Sequence, residues 1–305
     1  MSSNCMSRRP FLVDYHVHPD YSIDARGSVD EFCRAALAQG LSEICFTTHY
    51  DADPRYWDED AWVVVDGRRL SLDQPWLHRY QSQIEAAAAT YGPRGLRVKL
   101  GLEVSYFPGV EQRVAEITAA HPVDYLLGAI HWADDHPISY PAEVQAWLGG
   151  GDRSAAVAGY YGLLRAAAAS GLFDCLAHLD LYRRTLRQAD EDELDQPAVR
   201  AAVDELLATC AAQDVGIEIN TRRAGEHPAS PGPGPRLLRL AAEAGVRTVV
   251  TGSDAHTPES VAAGLGAGLA AAVRAGFTHL TTFDRRERRR HRLDELDICR
   301  PAADK

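Results

Sequence analysis

Short runs rich in β-formers alternate with Ala-rich stretches of helical period along nearly the whole chain. That alternation leaves parallel βα units as the architecture to expect. Seven strands are predicted, at 11–16, 43–48, 96–104, 125–131, 174–178, 215–220 and 247–252. Helical stretches are expected at 29–39, 76–91, 110–120, 154–170, 194–212, 235–244 and 259–275. Glycine followed by an apolar residue (Gly40-Leu41, Gly171-Leu172, Gly245-Val246) reads as a left-handed helix cap feeding the next strand. A length of 305 residues would allow two domains, yet one closed α/β barrel accommodates all the units, so a single domain is the economical reading. The barrel is expected over 10–283, between an N-terminal tail (1–9) and a basic C-terminal tail (284–305).

Two segments interrupt the pattern. Residues 50–75 are too long for a βα connection and rich in aromatics and acids, with an Asp66-Gly67 turn, and are a candidate lid or binding loop. Residues 222–235 are Pro/Gly-rich and irregular. The basic run 285–292 reads as a solvated helix face or tail. A net charge of −11 argues against extended nucleic-acid binding. The six cysteines are scattered without paired spacing and are read as reduced, and those at 45 and 175 as small buried hydrophobes. The N-terminus carries no apolar leader and no window is long enough to span a membrane, so a cytoplasmic protein without membrane contact is expected. The sequence does not specify an oligomeric state.

The placement of the histidines carries the chemistry. His16 and His18 form His-x-His at the end of the first strand, and the two-residue strand period points both to one face. His49 ends the second strand, Glu103 the third, His131 the fourth and His178 the fifth, while Asp254 and His256 follow the seventh. In a parallel barrel these ends converge on the mouth where active sites form, so the set predicts a metal site. His227, in the Pro/Gly-rich loop after strand six, can reach the same mouth. Imidazole and carboxylate without thiolate suit Zn, Mn or Fe.

The ordered motifs HVH, TTH, GLE, GAIH, AHLD and GSDAH resemble the PHP family, named for its polymerase and histidinol phosphatase members, and within it the histidinol-phosphatase branch. The likeness runs from about residue 11 to 283. It implies a distorted (β/α)7 barrel of the TIM-barrel-like type holding a trinuclear metal centre, with two to three divalent ions bound. By position, it implies a first ion held by His16, His18, Glu103 and Asp254, with Glu103 bridging to a second held by His131 and His178. A third would take His49, His256 and Asp24, the last standing where many members carry histidine.

The activity implied is phosphomonoester hydrolysis by metal-activated hydroxide attack on phosphorus, with Glu103, Asp254 and His256 at the reacting centre. After the carboxylates and a hydroxide are counted, the charge left on three ions balances a phosphate monoester dianion. L-histidinol phosphate is the leading substrate by resemblance, and a small phosphorylated metabolite the partner class. Arg183 and Arg184 after the AHLD motif, and Arg222 and Arg223 after strand six, are candidates to clamp the phosphate, with His227 beside them. Two other readings stand beside this one: a phosphodiesterase or nucleotide phosphatase on the same centre, and a non-catalytic metal-binding domain.

Overall fold

Parallel strands whose helices return each chain end to the same starting edge must all finish at one rim, and here they do. A computed structural model describes residues 11–184, 191–222 and 231–296. Strands β1 (Val13–Val17), β2 (Glu43–Tyr50), β3 (Arg97–Ser105), β4 (Tyr125–Ala129), β5 (Cys175–Leu176), β6 (Gly216–Asn220) and β7 (Val249–Gly252) pair in sequence order in one seven-stranded sheet. Every neighbouring pair is parallel. The sheet closes on itself: His18 N–H donates to the Ala255 carbonyl at 2.8 Å and Thr251 Oγ1 to the Val13 carbonyl at 3.1 Å. The result is the nearly closed single-domain barrel that the alternation implied. Each strand end lies within two residues of its expected position, and β5 shrinks to two residues.

The helices α1 (Val29–Ala38), α2 (Leu77–Tyr91), α3 (Glu111–Ala120), α4 (Arg153–Ala169), α5 (Pro197–Gln213), α6 (Pro235–Glu243) and α7 (Leu265–Ala275) form the outer layer. Local chemistry sets their ends. Ser28 and Glu31 make a capping box at α1, and Asp152 accepts from the N–H groups of Ser154 and Ala155 at α4. Beyond α1, Gly40 sits at φ +76°, where a side chain would be strained, and the chain turns directly into β2. Helix α7 starts later than the expected 259, because Pro258–Ser260 form a 3-10 turn and Gly264 is left-handed. A further helix, Pro141–Gly149, lies between β4 and α4, outside the predicted helical stretches. Cys33, Cys45, Cys175 and Cys210 are free and buried. Among the described residues, no helix is long and apolar enough to cross a membrane.

Two elements depart from the expectations. The basic run is no helix face or tail: β8 (His279–Asp284) and β9 (Glu287–Arg292) form an antiparallel hairpin. It seals the barrel end away from the strand termini, where Phe283 N–H donates to Tyr15 Oη at 2.6 Å and the Phe283 and Tyr125 rings lie 4.9 Å apart. Its arginines reach acids on the barrel, Arg286 to Asp174 at 3.0 Å and Arg288 to Asp214 at 3.7 Å. The 50–75 insertion is also ordered. It holds a 3-10 turn (Pro54–Tyr56), a helical turn (Trp57–Asp60) and a hairpin of Trp62–Val65 with Arg68–Ser71, reversed at Asp66-Gly67, both at positive φ. Val63 and Ala61 are fully buried, and Val64 N–H donates to the Tyr21 carbonyl at 2.9 Å. The Tyr56 ring stacks on Trp132 with centroids 3.5 Å apart, and Trp132 Nε1 donates to Asp60 at 2.6 Å. The insertion thus forms a wall packed against the barrel beside His131.

Candidate metal centre

Register brings the donors together. His49 on β2 is paired directly with Glu103 on β3. His16 lies near the end of β1 and His18 just past it, while His131, His178 and Asp254 each stand two residues beyond β4, β5 and β7. Glu103, only 1 % exposed, is the hub. Its Oε1 is 2.9 Å from His178 Nε2 and 3.5 Å from His131 Nε2. Its Oε2 is 3.0 Å from His49 Nδ1, 3.2 Å from His16 Nε2 and 3.4 Å from His18 Nε2. Asp254 Oδ1 lies 3.8 Å from His16 Nε2, 3.6 Å from His18 Nε2 and 3.4 Å from His256 Nδ1. At the outer edge Asp24 approaches His256 Nε2 at 3.1 Å and His49 Nε2 at 3.7 Å.

These are the eight strand-end donors and Asp24, gathered at one mouth. Ligand atoms of His16, His18 and Glu103 lie within 4.8 Å of one another, as do those of His49, Glu103 and His131, of His16, His178 and Asp254, and of His18, His49 and His256. His49 therefore stands between the hub and the outer edge, touching both.

The donors fit divalent ions. His16 Nε2, His18 Nε2, His49 Nδ1 and Glu103 Oε2 are buried, face one another and make no hydrogen bond. Buried polar atoms left in that state are costly unless a cation takes their lone pairs. The electrostatics agree in direction. Burial works against ionisation of Glu103 and Asp254, yet imidazoles around the first, and Arg184, His16 and Arg222 around the second, hold both well below the usual carboxylate range. Burial, reinforced by His49, His256 and His16, pushes His18 well below the ordinary imidazole value, so it is neutral and ready to ligate.

His49 behaves oppositely without metal. Burial lowers its pKa, but Glu103, Asp51 and Asp24 outweigh it and raise the value to about 9. A folded-state pKa above the unfolded value of about 6.5 gives stability that is complete below pH 6.5 and lost as pH rises through 9. Chelator-stripped protein should therefore melt at lower temperature at pH 9 than at pH 6.5. Metal-loaded protein should show the reverse trend, because protons compete with the ions for the same nitrogens. Thermal melts of both forms across this range check it, and a stripped protein that gains stability towards pH 9 would contradict it.

One arginine of the pair after the AHLD motif stands at the mouth, as does Arg222 after strand six. Arg184 Nη2 lies 2.8 Å from Asp254 Oδ2 and 3.1 Å from Asn220 Oδ1. Arg222 Nη1 lies 3.1 Å from Asp254 Oδ1 and 3.3 Å from His256 Nδ1. Arg183, expected as an equal candidate, turns away and is buried against Glu191 and Glu193, at 3.6 and 3.4 Å. Leu181–Arg184 form a 3-10 turn, whose three-residue period sends successive side chains about 120° apart, so neighbours cannot share a face. Arg223 and His227 lie outside the described residues.

Other residues at the centre went unread in the sequence. Asp51, two past His49, lies 3.2 Å from His131 Nδ1, whose other neighbour is Ser105 Oγ at 2.6 Å. Glu218 on β6 contacts His16 Nδ1 at 2.6 Å. Its signal was present: an acid inside the otherwise apolar run Gly216–Ile219 has no reason to be there unless a partner waits in the interior.

A family model described as "PHP domain" matches residues 14–222. A "Probable histidinol-phosphatase" of Deinococcus radiodurans is 35% identical over 254 residues, covering 82% of this chain and 88% of that protein. The "Histidinol-phosphatase" of Lactococcus lactis subsp. lactis is 23% identical, over 89% of this chain and 94% of its own. A crystal structure of histidinol phosphate phosphatase from Lactococcus lactis subsp. lactis, complexed with Zn, L-histidinol and phosphate, superposes with a TM-score of 0.73 at 21% identity, covering 91% of this chain and 98% of that one.

Proposed function

From the premise that the chain belongs to the PHP domain family, we propose that it is a metal-dependent phosphomonoester hydrolase that converts L-histidinol phosphate and water to L-histidinol and phosphate. The observation that carries this reading is the convergence of buried, unbonded imidazole and carboxylate atoms on Glu103, with two guanidinium groups at their edge. We assign the ions, two to three of Zn, Mn or Fe, to His16, His18, Glu103 and Asp254; to Glu103, His131 and His178; and to His49, His256 and Asp24. When bound, such ions supply an activated water as nucleophile and draw charge from the phosphate oxygens.

The chain's own groups do the rest. Glu103 and Asp254 keep their charge in a buried site because imidazoles surround the first and Arg184, His16 and Arg222 the second, so neither titrates near neutral pH. Arg184 and Arg222, each anchored through one arm to Asp254, keep further N–H donors for the phosphate. The wall built on Tyr56 and Trp132 narrows the mouth beside His131 and favours a small ester over a polynucleotide.

Phosphate release from L-histidinol phosphate by metal-loaded protein, set against a panel of monoesters and diesters, tests the assignment. A clear kcat/KM preference for the small monoester is expected, and diester hydrolysis at equal rate would overturn it. Arg184→Ala should lower kcat/KM on monoesters by about 10- to 100-fold, or about 1.5–3 kcal/mol of charge-assisted hydrogen bonding. Arg183→Ala, assayed alongside, should stay within about threefold of wild type provided it folds, since its charge is spent on Glu191 and Glu193. Equal losses would return Arg183 to the mouth.

A further inference from the structure

Glu218 is fully buried in β6, and among the described residues the ion pair it makes is with His16. A carboxylate so placed, with no arginine or lysine against it among those residues, is costly to keep unless its contacts accomplish something. Its Oε1 lies 2.6 Å from His16 Nδ1, and its Oε2 accepts the His178 backbone N–H at 2.9 Å. Asn220 Nδ2 donates to both oxygens at 3.2 Å and to Asp254 Oδ2 at 3.3 Å. Glu218 thus touches a donor near the end of β1 and the backbone of one beyond β5, and through Asn220 it is linked to Asp254 beyond β7. Two of these, His178 at φ +23° and Asp254 at φ +52°, have left-handed backbones that residues with a Cβ avoid, and the local bonds hold them there. Gly252 completes the fit, because a Cβ at that position would overlap Glu218 Oε1 and His16 Cβ.

We propose that Glu218 is a positioning residue of the metal centre, an inference that rests on the metal-hydrolase reading. By accepting from His16 Nδ1–H it holds the tautomer whose Nε2 lone pair faces Glu103 and Asp254. Through the His178 amide and Asn220 it fixes the two neighbouring donors in the same act. A partner of this kind sharpens ion affinity without touching substrate.

The test uses Zn²⁺ alone, competed against a chromophoric chelator, and Co²⁺ absorption as a report of ligand geometry. Glu218→Gln keeps the shape but removes the charge. It should weaken Zn²⁺ retention by about 10- to 100-fold, shift the Co²⁺ spectrum, and at saturating metal lower kcat while leaving KM within about twofold. Wild-type affinity and an unchanged Co²⁺ spectrum would overturn the proposal. Should Glu218→Gln fail to fold, Asn220→Ala must still weaken Zn²⁺ retention, and unchanged affinity there would overturn it equally. Neither metal measurement needs a substrate, so wild-type protein that binds Zn²⁺ yet leaves L-histidinol phosphate intact would defeat the functional reading alone.

Discussion

Glu103→Gln should lower kcat/KM on L-histidinol phosphate by roughly 100- to 1,000-fold, more than any other single carboxamide substitution at the mouth. The reason is geometric. One oxygen faces His131 and His178 while the other faces His16, His18 and His49, so both sides of the cluster depend on one charge. The amide removes that charge and turns an N–H donor towards nitrogens that need an acceptor or an ion. Metal content should fall by more than one equivalent on elemental analysis. Asp24→Ala offers the contrast: Asp24 is half exposed, and among the described residues its ion pairs are with His49 and His256, so its loss should cost no more than about 10-fold. If Asp24→Ala proves the more damaging of the two, the bridge is misassigned.

Removal of the ions should abolish turnover altogether and restore it when Zn, Mn or Fe is returned. It should also leave the protein folded, because the barrel core is apolar and closes independently of the centre. The melting temperature should nonetheless drop, since an ion that binds only the folded chain adds about 4 kcal/mol at a thousandfold excess over its Kd. Elemental analysis, phosphate release and thermal melts before and after chelation check all three statements. Protein that purifies without stoichiometric metal and keeps its activity through chelation would sink the functional reading entirely.

Much of this was legible because two periodicities coincide. Strand period placed His16 and His18 on one face, and the βα repeat placed His49, Glu103, His131, His178 and Asp254 at one rim, so position in sequence translated directly into position in space. What resisted reading was whatever depends on side-chain direction within irregular backbone. Arg183 and Arg184 are indistinguishable as letters, and only the 3-10 turn separates them. The strand Glu287–Arg292 has no alternation of apolar and polar residues to announce it. It forms because β8 supplies the buried Leu280 and Phe283, while Asp214, the acid that Arg288 and Arg290 reach, lies far away in sequence. Glu218 was missed for a different reason, since its meaning lies in a partner about 200 residues earlier.

The bonds that join the end of β1 to the segment after β7 also set a timetable for biosynthesis. His16 and His18 leave the ribosome first, and Asp254 and His256 follow on the order of 10 to 50 s later at ordinary elongation rates. Throughout that interval the first two imidazoles are a chelating pair that lacks Asp254 and His256. A correctly filled centre therefore cannot be inherited from the nascent chain. The ions must be installed, or exchanged for the right ones, after the last strand has docked, so the cell's free-metal balance at that moment decides which element each molecule carries.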